Sequence, residues 1–547
     1  MSRSTVGTVL FGACTLAAAA GALAVRTARL DLRPMHADEA NQAVRTGDLL
    51  ETGRLAYDPD QHHGPTLYWL TLPALWLSGV NDLAHSTEAQ FRMVPAVFGA
   101  ALIVLMPLLA GGLGRGPVLI AALLTAISPA MVFYSRYYVQ ETLLVFFTLA
   151  AIASMWRYTR SGSPGWAVAA GASFGLMHAT KETWFLAAAA MALALPLAIA
   201  WGRWRDRVAG TGSGVAGAER SDAPGILSML KPHLRPLHLV AAAAAACLVA
   251  TALYSSFGAN LKGPVDSLLA YDTYWRRGTE GGLHTHPWHF YLELLVVFRP
   301  ARGFFWTEGL IAGLAGVGFF ASLLCREKAG LCRFLAFYTV LLTAFYSLIP
   351  YKTPWCMLSF LHGMILLAGV GAWAILRWLP GLPLKTLALG LLAAGAVHLG
   401  WECWWLNFRL PADQRNPYVY AHTSTDALNL ADRMERLAEL SDEGHAMVIH
   451  VVTPENCWPL PWYLRKFKAG HFGCWHDPAV WAEETAPYPP PSVILLTADV
   501  AQSVEAQLRA AYNRQMMFGL RPEVFLSVYV REDLWEKFLA ASGSPTR

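Results

Sequence analysis

The chain is 547 residues long, 55% hydrophobic and only 15% charged, with a formal net charge of +4. At a mean hydropathy of +0.36, that balance excludes a wholly soluble globular protein, and the small, dispersed charge excludes a nucleic-acid binder. Twenty-one Trp and nineteen Tyr suit long membrane interfaces, where amphipathic rings settle.

Residues 6–25 form the first apolar run, behind Arg3. Their small residues would also fit a cleaved signal peptide, but the many apolar runs that follow favour an uncleaved first helix. The next stretch, Arg33–Trp69, is too polar to enter a membrane and concentrates His36, Asp38, Glu39, His62 and His63. Residues 66–80 are apolar but contain Pro73. A helix of that length rises about 22 Å against a hydrocarbon core of about 30 Å, which predicts an interfacial helix rather than a span.

Further apolar runs lie near 92–110, 117–134, 141–158, 166–180, 183–201, 237–256, 303–323, 334–350, 355–375 and 385–402. With the first, they predict about eleven transmembrane helices. With the N-terminus inside, one side collects Arg115, Arg157, Arg160, the basic loop 202–236 (Arg203, Arg205, Arg207, Arg220, Lys231, Arg235), Arg326, Lys328, Arg333 and Arg377. This agrees with the positive-inside rule. The Gly/Ser-rich piece 210–225 within that loop reads as a flexible linker.

After Trp401 the composition changes. Residues 1–402 are thus expected to be a membrane domain with outer loops 27–91 and 257–302, and residues 403–547 an extracytoplasmic soluble α/β domain. There, an N-cap at Thr423–Asp426 precedes apolar residues at helical spacing through Leu440. Runs 446–452, 492–497 and 524–530 read as strands, and 499–513 as a second helix. Cys457 and Cys474 could pair if the tail lies outside the cytoplasm. No cysteine spacing resembles a zinc or iron–sulfur site, so no cofactor is required, and a divalent metal, though compatible with the sequence, is not indicated.

The outer face implied by this topology gathers the ionisable residues: Asp38-Glu39, His62-His63, Arg136 with Glu141, Lys181, the 257–302 loop and Lys352. Ionisable groups at membrane depth are costly and are functional candidates. Asp38 and Glu39 open a helical run, where carboxylates either favour the macrodipole or act as a general base. Adjacent His62 and His63 point in different directions, which fits substrate hydrogen bonding better than metal binding. Lys181 and Lys352 either snorkel to the interface or hold an anionic group such as a lipid phosphate. Arg276 and Arg277 in YDTYWRRG are phosphate candidates or belong to a solvated turn.

Several short motifs occur in a familiar order: HADEA, HHGPTLYWL, FRMVPAVFGA, SRYYVQETLLVFF, ATKETW, HPWHFY and SLIPYKTPWC. Over roughly residues 10–400 the chain resembles the GT-C glycosyltransferases that use polyprenyl-phosphate sugars, the protein O-mannosyltransferase and lipid A aminoarabinose transferase group. More narrowly it looks like the branch named for association with flippase activity, through NPYVYAHTS and CWPLPWYLR in the tail. The resemblance implies a GT-C-like polytopic α-helical fold with Asp38 as catalytic base and Glu39 its neighbour. It points to Lys181 and Lys352 for the donor phosphate, with Arg136 in register; Arg276 and Arg277 are further phosphate candidates, and His62, His63, Tyr68, Glu141, His286 and Tyr351 are the candidates for substrate contact. Glu141 stands where the family usually has Asp, and His63-Gly64 where some relatives have a lysine.

The reading that follows is an integral membrane enzyme, its site outside the cytoplasm. It would transfer a sugar from a polyprenyl-phosphate donor to a hydroxyl acceptor on protein, lipid or glycan, with inversion. The alternative is a non-catalytic transporter or flippase component for lipid-linked sugars. Transporters place sites near the midplane, often in repeated halves; here no repeat is visible and the charges gather at span ends.

Overall fold

A computed structural model describes residues 3–61, 63–211, 235–279, 284–300, 302–325, 329–468 and 470–542. His62, Arg220, Lys231, Arg326, Lys328 and nearly all of the linker expected at 210–225 lie outside the described residues.

Among the described residues eight helices are long and apolar enough to cross a membrane. A ninth crossing forms if Arg115–Ile127 and Pro129–Ser135, bent by 59°, count as one. The bend has a local cause. Ser128 leaves the helical region at ψ 120° and caps the next helix through Met131 N–H, while Pro129 has no N–H with which to continue the ladder. The remaining two expected spans are helices of 15 and 16 residues, Pro164–His178 and Gly309–Leu324. At 1.5 Å per residue each falls short of a bilayer of about 30 Å. By length and composition, eight or nine of the eleven expected spans are thus full-length helices among the described residues, and the other two are shorter apolar helices. Thr66–Leu77 is a helix of 12 residues, as its length in the sequence predicts.

Close helix contacts rest on small residues. A Cβ on Gly318 would meet the Leu367 carbonyl oxygen at 1.9 Å, and one on Gly371 the Leu314 oxygen at 2.1 Å. Gly309–Leu324 and Leu358–Trp378 can approach this closely only because neither carries a side chain there.

The polar connections that matter share one end of the bundle. The turn after Arg3–Thr27, the helix Ala37–Thr52, the start of Glu88–Leu105, the 136–140 turn, and the segments 179–183 and 349–357 all meet there. The tail folds against the same end as a five-stranded sheet of order β2-β1-β3-β5-β4. The strands are β1 (Ile449–Val452), β2 (Phe472–Trp475), β3 (Val493–Leu496), β4 (Tyr512–Arg521) and β5 (Val524–Arg531). β1 pairs in parallel with β2 and β3, whereas β5 runs antiparallel to β3 and β4. The expected helix over 499–513 stops at Glu505, and its last residues enter β4. Cys457 and Cys474 are disulfide-bonded.

Candidate active site

The acidic pair opens the helix Ala37–Thr52, and its two members meet opposite environments. His36 is the N-cap: its ring Nδ1 accepts from Asp38 N–H at 3.1 Å, while Glu39 accepts from His36 N–H at 3.0 Å. This is a capping box, which ties off two of the donors a helix start leaves open. Because Nδ1 accepts, the ring proton sits on Nε2, which donates to the Tyr420 carbonyl at 3.2 Å.

Glu39 is fully buried. Its carboxylate receives Arg92 Nε and Nη2 at 2.7 and 2.8 Å and the Tyr138 N–H at 2.8 Å. Arg92 directs its other N–H groups to the carbonyls of Leu30, Arg33 and Pro34. All five guanidinium donors are thereby used. Burial works against charge on Glu39, but Arg92 and Arg33 hold its pKa down at about 2. Glu39 is the keystone that shapes the turn in front of Asp38, and its oxygens are already taken.

Asp38 projects outward with its side chain 51% exposed. Its Oδ2 lies 3.9 Å from His36 Nδ1, and its negative charge favours the protonated form of His284. His284 Nδ1 and His286 Nε2 lie 2.8 and 3.0 Å from the Tyr420 hydroxyl. Burial lowers the pKa of both imidazoles. A hydroxyl has one proton to give, so at most one of these rings accepts from it and at least one donates to it. Tyr351 packs on His284 with ring centroids 5.0 Å apart. Lys352 fastens this corner: its N–H donates to the His284 carbonyl at 2.8 Å, and Nζ donates to the carbonyls of His286 and Ile349. An ammonium has three N–H donors, so one is left over among the described residues. Trp355 faces His36 edge-on at 5.5 Å and Tyr420 at 6.1 Å, closing the floor.

Other expected site residues fall elsewhere. Lys181 is buried and ion-paired with buried Glu141. His63 lies 2.8 Å from Glu182. Arg136 spends its guanidinium on the carbonyls of Val25, Arg26, Ala28 and Arg29, capping the end of the first helix. Tyr68 is buried and gives its hydroxyl to Gln42, away from the rim. Arg276 is exposed and pairs with Asp272 one turn away, at 3.0 Å. Arg277 lies on the same helix, with its side chain outside the described residues.

Arg92, His284, Tyr420 and His422 were not singled out from the sequence. The last two belong to NPYVYAHTS, whose Tyr418 donates to Glu308 at 2.7 Å and whose Thr423 donates to the Met35 carbonyl at 2.6 Å. The density of aromatic and hydroxyl residues in that linker was the available signal.

The family model for dolichyl-phosphate-mannose-protein mannosyltransferase matches residues 72–255. That segment contains Arg92, Glu141 and Lys181 but begins after Asp38. No curated protein sequence matches the chain. ArnT from Cupriavidus metallidurans in the apo state is 16% identical with a TM-score of 0.63, covering 96% of this chain and 98% of that one. The same protein bound to undecaprenyl phosphate matches at 15% identity and 0.61, with the same coverage. AglB from Archaeoglobus fulgidus, in complex with an inhibitory peptide and a dolichol-phosphate, is 12% identical with a TM-score of 0.53, covering 97% of this chain and 77% of that one. At these identities the likeness is one of fold. Eight apolar helices among the described residues, long enough to cross a membrane, mark an integral membrane protein, its fold is that of ArnT and AglB, and over residues 72–255 its sequence matches the dolichyl-phosphate-mannose-protein mannosyltransferase model.

Proposed function

We propose that the protein transfers a glycosyl group from a polyprenyl-phosphate donor to a hydroxyl acceptor at the rim around Asp38, with inversion at the anomeric carbon. The observation that carries this reading is the division of labour in the acidic pair. Glu39 is fully coordinated, whereas Asp38 stands exposed on a turn that Glu39 and Arg92 hold rigid. A general base must reach its proton and have a free lone pair, and Asp38 meets both conditions. Lys352, with its third N–H, and Lys181 neutralise the departing phosphate. Of the two, Lys352 carries the larger share, since Glu141 already balances Lys181. Fixed cations of this kind stabilise charge as it develops on the leaving group.

The site and tail lie outside the cytoplasm. Supporting this are the disulfide Cys457–Cys474, a bond that persists in oxidising compartments, and the basic residues gathered at the opposite helix ends. The experiment is transfer by purified protein with a panel of polyprenyl-phosphate sugars, comparing wild type with Asp38→Asn. Transfer by wild type and its loss in the variant are expected. Undiminished transfer in the variant would remove Asp38 as the base.

A further inference from the structure

The soluble tail reaches back to the turn that carries Asp38. Met35, just ahead of the helix Ala37–Thr52, is buried, and the tail takes both of its backbone groups. Its N–H donates to the Tyr463 hydroxyl at 2.7 Å, and its carbonyl accepts from Thr423 Oγ1 at 2.6 Å. One residue on, the His36 ring donates to the Tyr420 carbonyl. The membrane domain holds what lies on either side: Arg92 donates to the carbonyls of Arg33 and Pro34, and Glu39 accepts the His36 N–H. The turn in front of Asp38 is thus fastened partly from the bundle and partly by residues 384 to 428 positions further along the chain.

Tyr463 belongs to an arm that leaves the sheet, and the disulfide Cys457–Cys474 ties the start of that arm to β2. The arm docks where the helix Glu88–Leu105 begins. Trp462 is fully buried, donates from Nε1 to Glu88 at 2.9 Å and meets Phe91 edge-on at 5.3 Å. Arg465 lies 3.9 Å over the Trp462 ring and donates to the Ser86 carbonyl at 2.7 Å. Glu88 precedes Arg92 by one helical turn, so the arm grips the same helix whose Arg92 holds Glu39. A side chain locked in this way by packing and hydrogen bonds holds its hydroxyl in a fixed place.

We propose that Tyr463 is a positioning residue for glycosyl transfer: by accepting the Met35 N–H it sets where the turn presents Asp38, and Thr423 completes the grip from the carbonyl side. The tail then acts on the reaction through the backbone of Met35, without touching a reactant. Without the hydroxyl, a buried N–H loses its acceptor and the turn must shift to pair it elsewhere. The inference rests on the reading of Asp38 as the base.

The test compares full-length wild type with Tyr463→Phe in nanodiscs. Phe keeps the ring packing and removes only the acceptor. Hydrogen exchange over residues 34–38 should quicken in the variant by about tenfold, with β1, β3 and β5 unchanged. Transfer is measured with the panel of polyprenyl-phosphate sugars, and kcat is counted per site that binds undecaprenyl phosphate, so that unfolded protein does not enter it. That kcat should fall by about ten- to a hundredfold, the scale of a reacting group displaced by about 1 Å. The donor KM should stay within about twofold of wild type. Thr423→Val, which exchanges the hydroxyl for a methyl, covers the case in which the Phe variant does not fold, and should give the same split from the Met35 carbonyl side. A lower Tm with kcat per site unchanged would make Tyr463 a packing residue. That result, a fall in kcat without faster exchange at the turn, or a donor KM that rises in step overturns the positioning role and leaves the donor reading standing. Wild type that transfers from no donor of the panel overturns both.

Discussion

The socket around Glu39 and the rim around Asp38 are one peptide bond apart and differ in nearly every physical respect. Glu39 has no solvent exposure, two Arg92 contacts and two backbone donors. Asp38 is half exposed, with the His36 imidazole 3.9 Å away rather than a guanidinium beside it. Charge stored in the socket stiffens the turn but is not available to a reactant. Charge at the rim is available, and its position is set by the socket behind it. Asp38 is therefore read by its effect on rate, Glu39 by its effect on stability.

The largest expected effect is on the rim. Asp38→Asn keeps the shape and the helix start but removes the lone-pair basicity, so kcat for glycosyl transfer should fall by about 10²- to 10⁴-fold with Tm essentially unchanged. A comparable loss of Tm in the same variant would merge the two regions and break the contrast.

The socket should respond in the opposite sense. Glu39→Ala leaves Arg92 buried and charged without its partner, a loss on the order of 3–5 kcal/mol. A large fall in thermal stability in detergent or nanodiscs is expected, before any assay of transfer. The wild type carries the same information in its pH dependence. Glu39 has a folded-state pKa of about 2 against an ordinary value of 4.5. Its stabilising contribution, about 3 kcal/mol from that shift, is complete above pH 4.5 and is lost as the pH falls toward 2. Replacing Glu39 by Gln should flatten that acid limb. An unchanged limb would show that the bidentate pair is not what holds the turn.

How much of this was legible in the sequence depends on what charge patterns can encode. Spans, the short interfacial helix and the sharing of one end by Asp38, Lys181 and Lys352 follow from apolar length and parity, which are properties of the chain alone. The split between Asp38 and Glu39 is not, because DE reads the same whichever residue faces Arg92. Arg136 illustrates the same limit. Its charge is visible in SRYY, but that its donors go to four carbonyls at the end of the first helix is a fact of packing. In the tail, the expected helix over 499–513 overruns the first two residues of β4, behind strong helix formers in AQSVEAQLRAA. Pairing with β5 decides otherwise, an instance of tertiary context overriding propensity.

Lys352 joins the two regions, since it is buried yet among the described residues has a donor to spare. Lys352→Met preserves much of the side-chain volume and removes the charge. The expected result is a donor KM raised by about ten- to a hundredfold, the scale of a charge-assisted hydrogen bond, with a smaller loss of Tm. An effect on Tm alone would make Lys352 part of the socket.

The smallest expected effect concerns Arg276, and it tests whether charge without enclosure contributes anything. Its side chain is 63% exposed and its partner Asp272 74% exposed, one helical turn away. Solvent screens such a pair, and exposed helix pairs stabilise by only about 0.3–0.5 kcal/mol. A phosphate held there would likewise compete with water on every side. Arg276→Ala should therefore leave both Tm and the donor KM within about twofold of wild type, and raising the salt should shift the two proteins equally, because a screened charge has little left to lose. A donor KM raised tenfold or more, with Tm unmoved, would bring the 263–279 helix to the donor and enlarge the rim beyond the corner that Lys352 and Tyr420 define.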